Sequence, residues 1–281
     1  MIAITGATGN VGRALVRRLA ATDAAVTATS RSISAADVPD NVRWLRSDLA
    51  EPASLRPVLD GARALFLHNG GASAAAMRTA EILSAAAEAG VERVVLLSSL
   101  GVKTRPETVS HGQIGRSIEE AVVDSGIDWT ILRPVGFATN TLAWAASIRE
   151  GRGVAAPFGD VATPIVDPDD IAAVAAAVLA ESGHSQRFYE LTGPELVSPR
   201  QQAAAIAAAL GEPIAFVEQT RQEAREVMLN FMPEAITDSA LEAMGRPTAA
   251  ELAVSPDVPN VLKRPAGTFA DWAGRNAAAF R

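Results

Sequence analysis

Three glycines at 6, 9 and 12, in Gly6-Ala7-Thr8-Gly9-Asn10-Val11-Gly12, follow a short apolar run and open a helical stretch. Strand, glycine-rich turn and helix in that order are what a dinucleotide's pyrophosphate needs. One glycine permits the tight turn, one admits the phosphates to the backbone, and one lets helix and strand pack closely. The helix start then offers unpaired N–H groups and a positive dipole end to the anion. Gly6, Thr8, Gly9, Asn10, Val11 and Gly12 are therefore expected to hold the cofactor. The end of the next apolar run selects among cofactors. A site for NAD places Asp or Glu there to hold the ribose 2′-hydroxyl. Here Thr29-Ser30-Arg31-Ser32 stands instead. Arg31 flanked by hydroxyls suits a 2′-phosphate, to which a carboxylate would be repulsive, so NADP(H) is the expected cofactor. A solvated surface arginine is the alternative.

Further candidates follow along the chain. Asp48 and Leu49 come after the third apolar run, where a carboxylate could accept from the adenine amine. Asp48 or Glu51 could equally cap the helix that Pro52 begins. Ser98 and Ser99 end a fifth run, where cofactor ribose or substrate would lie, although capping of the strand end would use the same residues. Phe137, Asn140 and Trp144 would give a flat substrate an aromatic wall and one amide, and core packing explains the aromatics as well. His111 could act as an acid near neutral pH, or be a solvated loop histidine.

The elements that must position these residues are legible as a regular alternation. Apolar runs at 2–5, 25–29, 42–45, 64–68, 94–98 and 129–132 are separated by helix-period segments such as 11–21, 74–89 and 117–125. That is the pattern of βαβ units and a parallel sheet. Val94-Val95-Leu96-Leu97 reads as a central strand covered on both faces. After about Gly136 the pattern changes to a turn at 151–153, a loop at 157–164 and a helix opened by Asp167-Pro168-Asp169-Asp170. A strand at 188–191, a helix at 201–210 and helical sequence from Glu218 onward close the chain. The fold expected is α/β. It combines a Rossmann-type doubly wound parallel sheet over 1–150, completed by about 161–192, with a smaller, mostly helical substrate lobe over 151–281.

Composition bounds the function. The formal net charge of −7 argues against a nucleic-acid partner. No run is long and apolar enough to suggest a membrane span. Zero cysteines exclude disulfides, thiolate catalysis and Cys-ligated zinc, and no metal site is expected. With no signal segment at its start the chain is expected to be cytoplasmic.

The chain resembles the NmrA-like, atypical branch of the short-chain dehydrogenase/reductase superfamily. The resemblance runs through Gly6–Gly12, Ser98-Ser99, the segment 125–134 ending Leu132-Arg133-Pro134, Asp170-Ile171-Ala172, Phe188-Tyr189-Glu190-Leu191-Thr192-Gly193 and Thr268-Phe269-Ala270-Asp271-Trp272. It implies NADP(H) bound across the sheet edge, contacts from His68-Asn69-Gly70, Pro134 beside the nicotinamide, and substrate between two lobes. Members include quinone, triphenylmethane dye and isoflavone-type reductases, and regulators that bind dinucleotide without turnover. One departure matters. Superfamily enzymes commonly use Tyr-x-x-x-Lys as proton donor, and the chain's single tyrosine, Tyr189, lies elsewhere. The expected activity is thus NADPH-dependent reduction of a small conjugated molecule, quinone- or enone-like, without that pair. A redox-sensing regulatory protein that binds NADP(H) and signals through a protein partner is the alternative.

Overall fold

The computed structural model describes residues 1–32, 39–69 and 71–281, with backbone alone at 71–73, 110 and 111. Its strands are β1 (Ile2–Ile4), β2 (Val26–Ser30), β3 (Val42–Arg46), β4 (Ala64–His68), β5 (Arg93–Leu97), β6 (Asp128–Pro134), β7 (Gly153–Pro157), β8 (Arg187–Leu191) and β9 (Ala215–Gln219). The chain divides into two compact units.

The first unit comprises Met1–Pro134, Pro168–Leu191 and Asp257–Lys263. Seven strands among the described residues form one parallel sheet, in the order β3-β2-β1-β4-β5-β6-β8. Period-2 alternation sends Ala3, Leu65, Leu67, Val94, Leu96 and Ile131 to one face. They pack there against Ile82, Leu83 and Ala86 of the helix Thr79–Glu88 and Ile118 and Val122 of the helix Gly115–Val123. The opposite face is covered by α1 (Asn10–Ala20) and the helix Pro168–Ala180, which pack on each other. A sheet covered on both faces explains why its central strands β1, β4 and β5 are largely apolar. Because all seven strands run the same way, their carboxyl ends share one edge. The chain steps from β1 outward to β2 and β3 on one side, then crosses to β4 on the other side of β1. A switch point of this kind opens a crevice above the ends of β1 and β4.

The second unit comprises Val135–Asp167, Thr192–Pro256 and Arg264–Arg281. Ile148, Val154, Ile206, Phe269, Trp272 and Phe280 form its apolar core. Capping boxes at Ser198/Gln201, Thr220/Glu223, Thr248/Glu251 and Thr268/Asp271 start four of its helices. The unit also contains a two-stranded parallel sheet, β7 with β9, which the helical reading of this region did not include. The turn at 151–153 ends at Arg152, in left-handed backbone with φ of 49°, and β7 starts at the next residue. Gly-Val-Ala-Ala-Pro carries little strand propensity of its own. Its pairing with a strand far along the chain is what makes it extended.

Candidate nucleotide site

The turn from β1 into α1 is built by exclusion of side chains. Gly6 has φ of +63°, and a Cβ there would stand 2.5 Å from His68 Cδ2. The His68 ring occupies the space a side chain at position 6 would need. A Cβ on Gly12 would lie 2.1 Å from the Gly6 carbonyl oxygen, so helix and turn close only around glycine. The turn is tied down by the Ala7 N–H donating to Thr29 O (3.1 Å) and the Gly9 N–H donating to Gly6 O (2.9 Å). Arg13 of α1 donates from Nη2 to Thr8 O at 3.2 Å. Gly9 is the N-cap of α1, is exposed and brings no side chain to cap that helix. Val11 and Gly12 are buried beneath the turn, and Thr8 and Asn10 lie at its rim. A bare helix start at the carboxyl end of a central strand has the donor geometry of a phosphate cradle. The residues present therefore fit a dinucleotide's pyrophosphate.

Arg31 follows β2 directly and is exposed. Its charge reaches His68, which ends β4. Burial first, and Arg31 second, push the His68 pKa down to about 4. The His68 backbone N–H donates to Thr5 Oγ1 (3.1 Å), which in turn donates to Phe66 O (3.0 Å). Near neutral pH this imidazole is uncharged, so it places no cation of its own in the turn and cannot serve as an imidazolium acid. The sign of its linkage to folding is definite. Between about 6.5 and about 4 an unfolded chain binds a proton that the folded chain does not, so stability falls as pH drops through that window. His68→Gln is expected to remove this part of the pH dependence in the cofactor-free protein. Denaturant midpoints at pH 7 and pH 5 check it. An unchanged difference between the two pH values would show that His68 is not its source.

Asp48 sits after β3 and is used locally. Its Oδ1 accepts from the Ala50 N–H (3.0 Å), and its own N–H donates to Ser54 Oγ (2.9 Å). Glu51 makes no side-chain cap to the 3-10 turn Pro52–Leu55. Asp48 thus shapes the loop, and Leu49 is half-buried against the apolar face. Asn69 is half-buried beside His68, while Gly70 lies outside the described residues.

At the end of β5 the two serines differ. Ser99 Oγ accepts from the Gly101 N–H at 3.1 Å, at the start of the short helix Gly101–Thr104. Ser98 is buried, its N–H donating to Leu132 O (2.8 Å). Its Oγ donates to Glu119 Oε1 at 2.5 Å. Glu119 is itself buried and gripped by Arg133, with Nε on Oε1 at 3.0 Å and Nη2 on Oε2 at 2.5 Å. Neither Glu119 nor Arg133 was among the expected site residues. The available signal was a carboxylate at a helix position flanked one turn on either side by core residues. Pro134 ends β6, buried, with its carbonyl accepting from the Leu100 N–H (2.9 Å).

The chain's single tyrosine is elsewhere. Tyr189 on β8 has its hydroxyl 2.7 Å from His184 Nδ1, in the segment leading into that strand. Burial raises the Tyr189 pKa, opposed by Arg187 and assisted by Asp257, so this phenol is a weaker acid than usual. His111 falls in the π-helical turn Val109–Ile114, and its side chain lies outside the described residues. Phe137, Asn140 and Trp144 belong to the second unit. Phe137 bridges to Val166, Asn140 is exposed, and Trp144 packs partly buried against that unit's apolar core. Among the described residues no cluster of three or more His, Asp or Glu could hold a metal ion. No helix there is long and apolar enough to cross a membrane.

A family model described as NAD(P)H-binding matches residues 6–182. Two relatives are similar over the whole length. A (4-alkanoyl-5-oxo-2,5-dihydrofuran-3-yl)methyl phosphate reductase of Streptomyces griseus is 35% identical, covering 100% of this chain and 99% of the relative. An NAD(P)H azoreductase of Xenophilus azovorans is 34% identical, with coverage of 100% and 99%. Among solved structures, the NADPH-dependent quinone oxidoreductase QOR2 of Escherichia coli, complexed with NADPH, superposes with a TM-score of 0.81. It is 26% identical, with 98% of this chain and 99% of that one covered.

Proposed function

Because the chain belongs to the NAD(P)H-binding family, we propose that it is an NADPH-dependent reductase acting on a small conjugated acceptor, quinone- or enone-like, without a Tyr/Lys pair. NAD(P)H is its cofactor and it is an oxidoreductase. Choice of the phosphorylated cofactor rests on Arg31, which stands where NAD-preferring sites carry a carboxylate. Bound NADPH supplies the hydride. Gly6, Gly9, Gly12 and the start of α1 would hold its pyrophosphate, Arg31 its 2′-phosphate, and the ends of β4, β5 and β6 its nicotinamide half.

The observation that carries the choice of acceptor is the state of Tyr189. The one phenol of the chain, Tyr189 on β8, is hydrogen-bonded to His184, and its pKa is raised rather than lowered. Ser98 spends its proton on Glu119. The names of the relatives point the same way, since azo, quinone and unsaturated furanone groups are all conjugated. Steady-state NADPH oxidation with a panel of quinones, enones and simple ketones tests the proposal.

Cofactor choice gives a separate expectation. A charge-assisted contact to a phosphate contributes roughly 1.5–3 kcal/mol, or about ten- to a hundredfold in affinity. NADPH should bind more tightly than NADH by that order, and Arg31→Asp should abolish or reverse the preference. Calorimetry with both cofactors decides it. Equal affinities in the unaltered protein would remove the role given to Arg31.

A further inference from the structure

The trio of buried Ser98 and Glu119 with partly buried Arg133 has no evident structural purpose that apolar residues would not serve. A buried ion pair contributes little net stability, because desolvation offsets its attraction. What the trio does achieve is orientation. A serine hydroxyl ordinarily interchanges donor and acceptor roles by rotation. Here Glu119 takes the Ser98 proton at 2.5 Å, and two nitrogens of Arg133 hold Glu119 still. The Arg133 guanidinium is itself seated over the Phe188 ring, 4.1 Å from its centroid. Ser98 Oγ is therefore left as an acceptor. Donation to a carboxylate polarises the hydroxyl and strengthens its lone pairs.

The position of Ser98 says what it would accept from. With the pyrophosphate at β1 and α1, the adenosine half of the cofactor would extend over β2 and β3, the two strands on one side. The nicotinamide half, of similar length, would extend over β4 and β5 on the other, since neighbouring strands stand about 4.8 Å apart. His68, which ends β4, and Ser98, which follows β5, would thus be the counterparts of Arg31 and Asp48. The nicotinamide ring carries a carboxamide, whose NH2 group needs an acceptor. We infer that Ser98 Oγ accepts a hydrogen bond from the nicotinamide carboxamide, and that Glu119 and Arg133 are positioning residues that keep it an acceptor. The inference rests on the NADPH-dependent reading and adds to it the determinant of how the ring is held.

The test uses binding rather than turnover. Calorimetry would compare NADPH with the reduced 3-acetylpyridine analogue of the same dinucleotide, in which a methyl ketone replaces the carboxamide and no N–H remains. Ser98→Ala is expected to weaken NADPH binding roughly three- to tenfold, the range of one hydrogen bond, and to leave the analogue's affinity unchanged. Glu119→Gln, which keeps shape but loses the obligatory acceptor, should show the same selective loss. Ser98→Ala retains the Glu119–Arg133 pair, so it reports even where Glu119→Gln fails to fold. Equal losses for both dinucleotides, or no loss with NADPH, would overturn the inference. Selective loss in a protein that reduces no acceptor would uphold it and overturn the reductase reading alone.

Discussion

Valine in place of Gly9 is expected to abolish dinucleotide binding while leaving the fold intact. Gly9 has φ of −76° and ψ of 172°, a backbone any residue adopts. Among the described residues a Cβ there meets the Gly6 carbonyl oxygen at 3.2 Å, a tight contact that needs a shift of a few tenths of an ångström. The two methyl groups of valine would instead occupy the space over the uncapped start of α1. Phosphate oxygens need that space to reach the backbone N–H groups. A loss of at least a hundredfold in NADPH affinity, about 2.7 kcal/mol, should appear by calorimetry with a near-native circular dichroism spectrum. Gly12→Val makes the contrast. Its Cβ would stand 2.1 Å from Gly6 O and 2.9 Å from the Ala7 Cα, backbone atoms that cannot rotate away. That variant should lose thermal stability as well as binding. Normal NADPH affinity in Gly9→Val would show that the turn does not hold the cofactor.

The contrast between these two glycines also explains what could be read from the sequence. The cradle is local. Strand, turn and helix are consecutive, and the spacing of Gly6, Gly9 and Gly12 encodes close approaches that sequence distance alone fixes. The position of Arg31 was legible for a similar reason, since it directly follows β2, the strand that pairs with β1. The parallel sheet was legible because strands buried on both faces must be apolar throughout. The Ser98–Glu119–Arg133 trio was not. Its members come from the end of β5, the helix Gly115–Val123 and β6, and nothing local relates them. Asp48 illustrates the opposite difficulty. A carboxylate after β3 suits an adenine and suits a turn equally well. The structure shows the turn contact, with the Ala50 N–H donating to Asp48 Oδ1. The pair of β7 and β9 was missed because Val-Ala-Ala is extended by its partner, not by its own preference.

The protonation state of the site leads to the second large effect expected. A reductase for isolated ketones must handle negative charge that builds on one oxygen, and normally delivers a proton or a strong donor to it. Four described residues that could take that part are otherwise engaged. Tyr189 is bonded to His184 with its pKa raised. His68, with a pKa of about 4, is already neutral near pH 7. Ser98 donates to Glu119, and Lys103 pairs with Glu190 at 2.5 Å. In a quinone or an enone the charge spreads over a π-system instead, and solvent can protonate it later. Such an acceptor asks the protein mainly for proximity and exclusion of water. General acid catalysis contributes about 10²–10⁴-fold where it operates. Conjugated acceptors should therefore be reduced at least about a hundredfold faster, as kcat/KM, than simple ketones of similar size. Secondary alcohols should not be oxidised measurably with NADP⁺. Absorbance at the reduced nicotinamide band, with NADPH alone as the control, gives both rates. Across pH 6–8 the rate with a quinone should show no dependence on His68, and His111→Ala should lower it modestly only if that histidine assists. Efficient turnover of a simple secondary alcohol would show that a proton donor is present after all, and would place the search at His111.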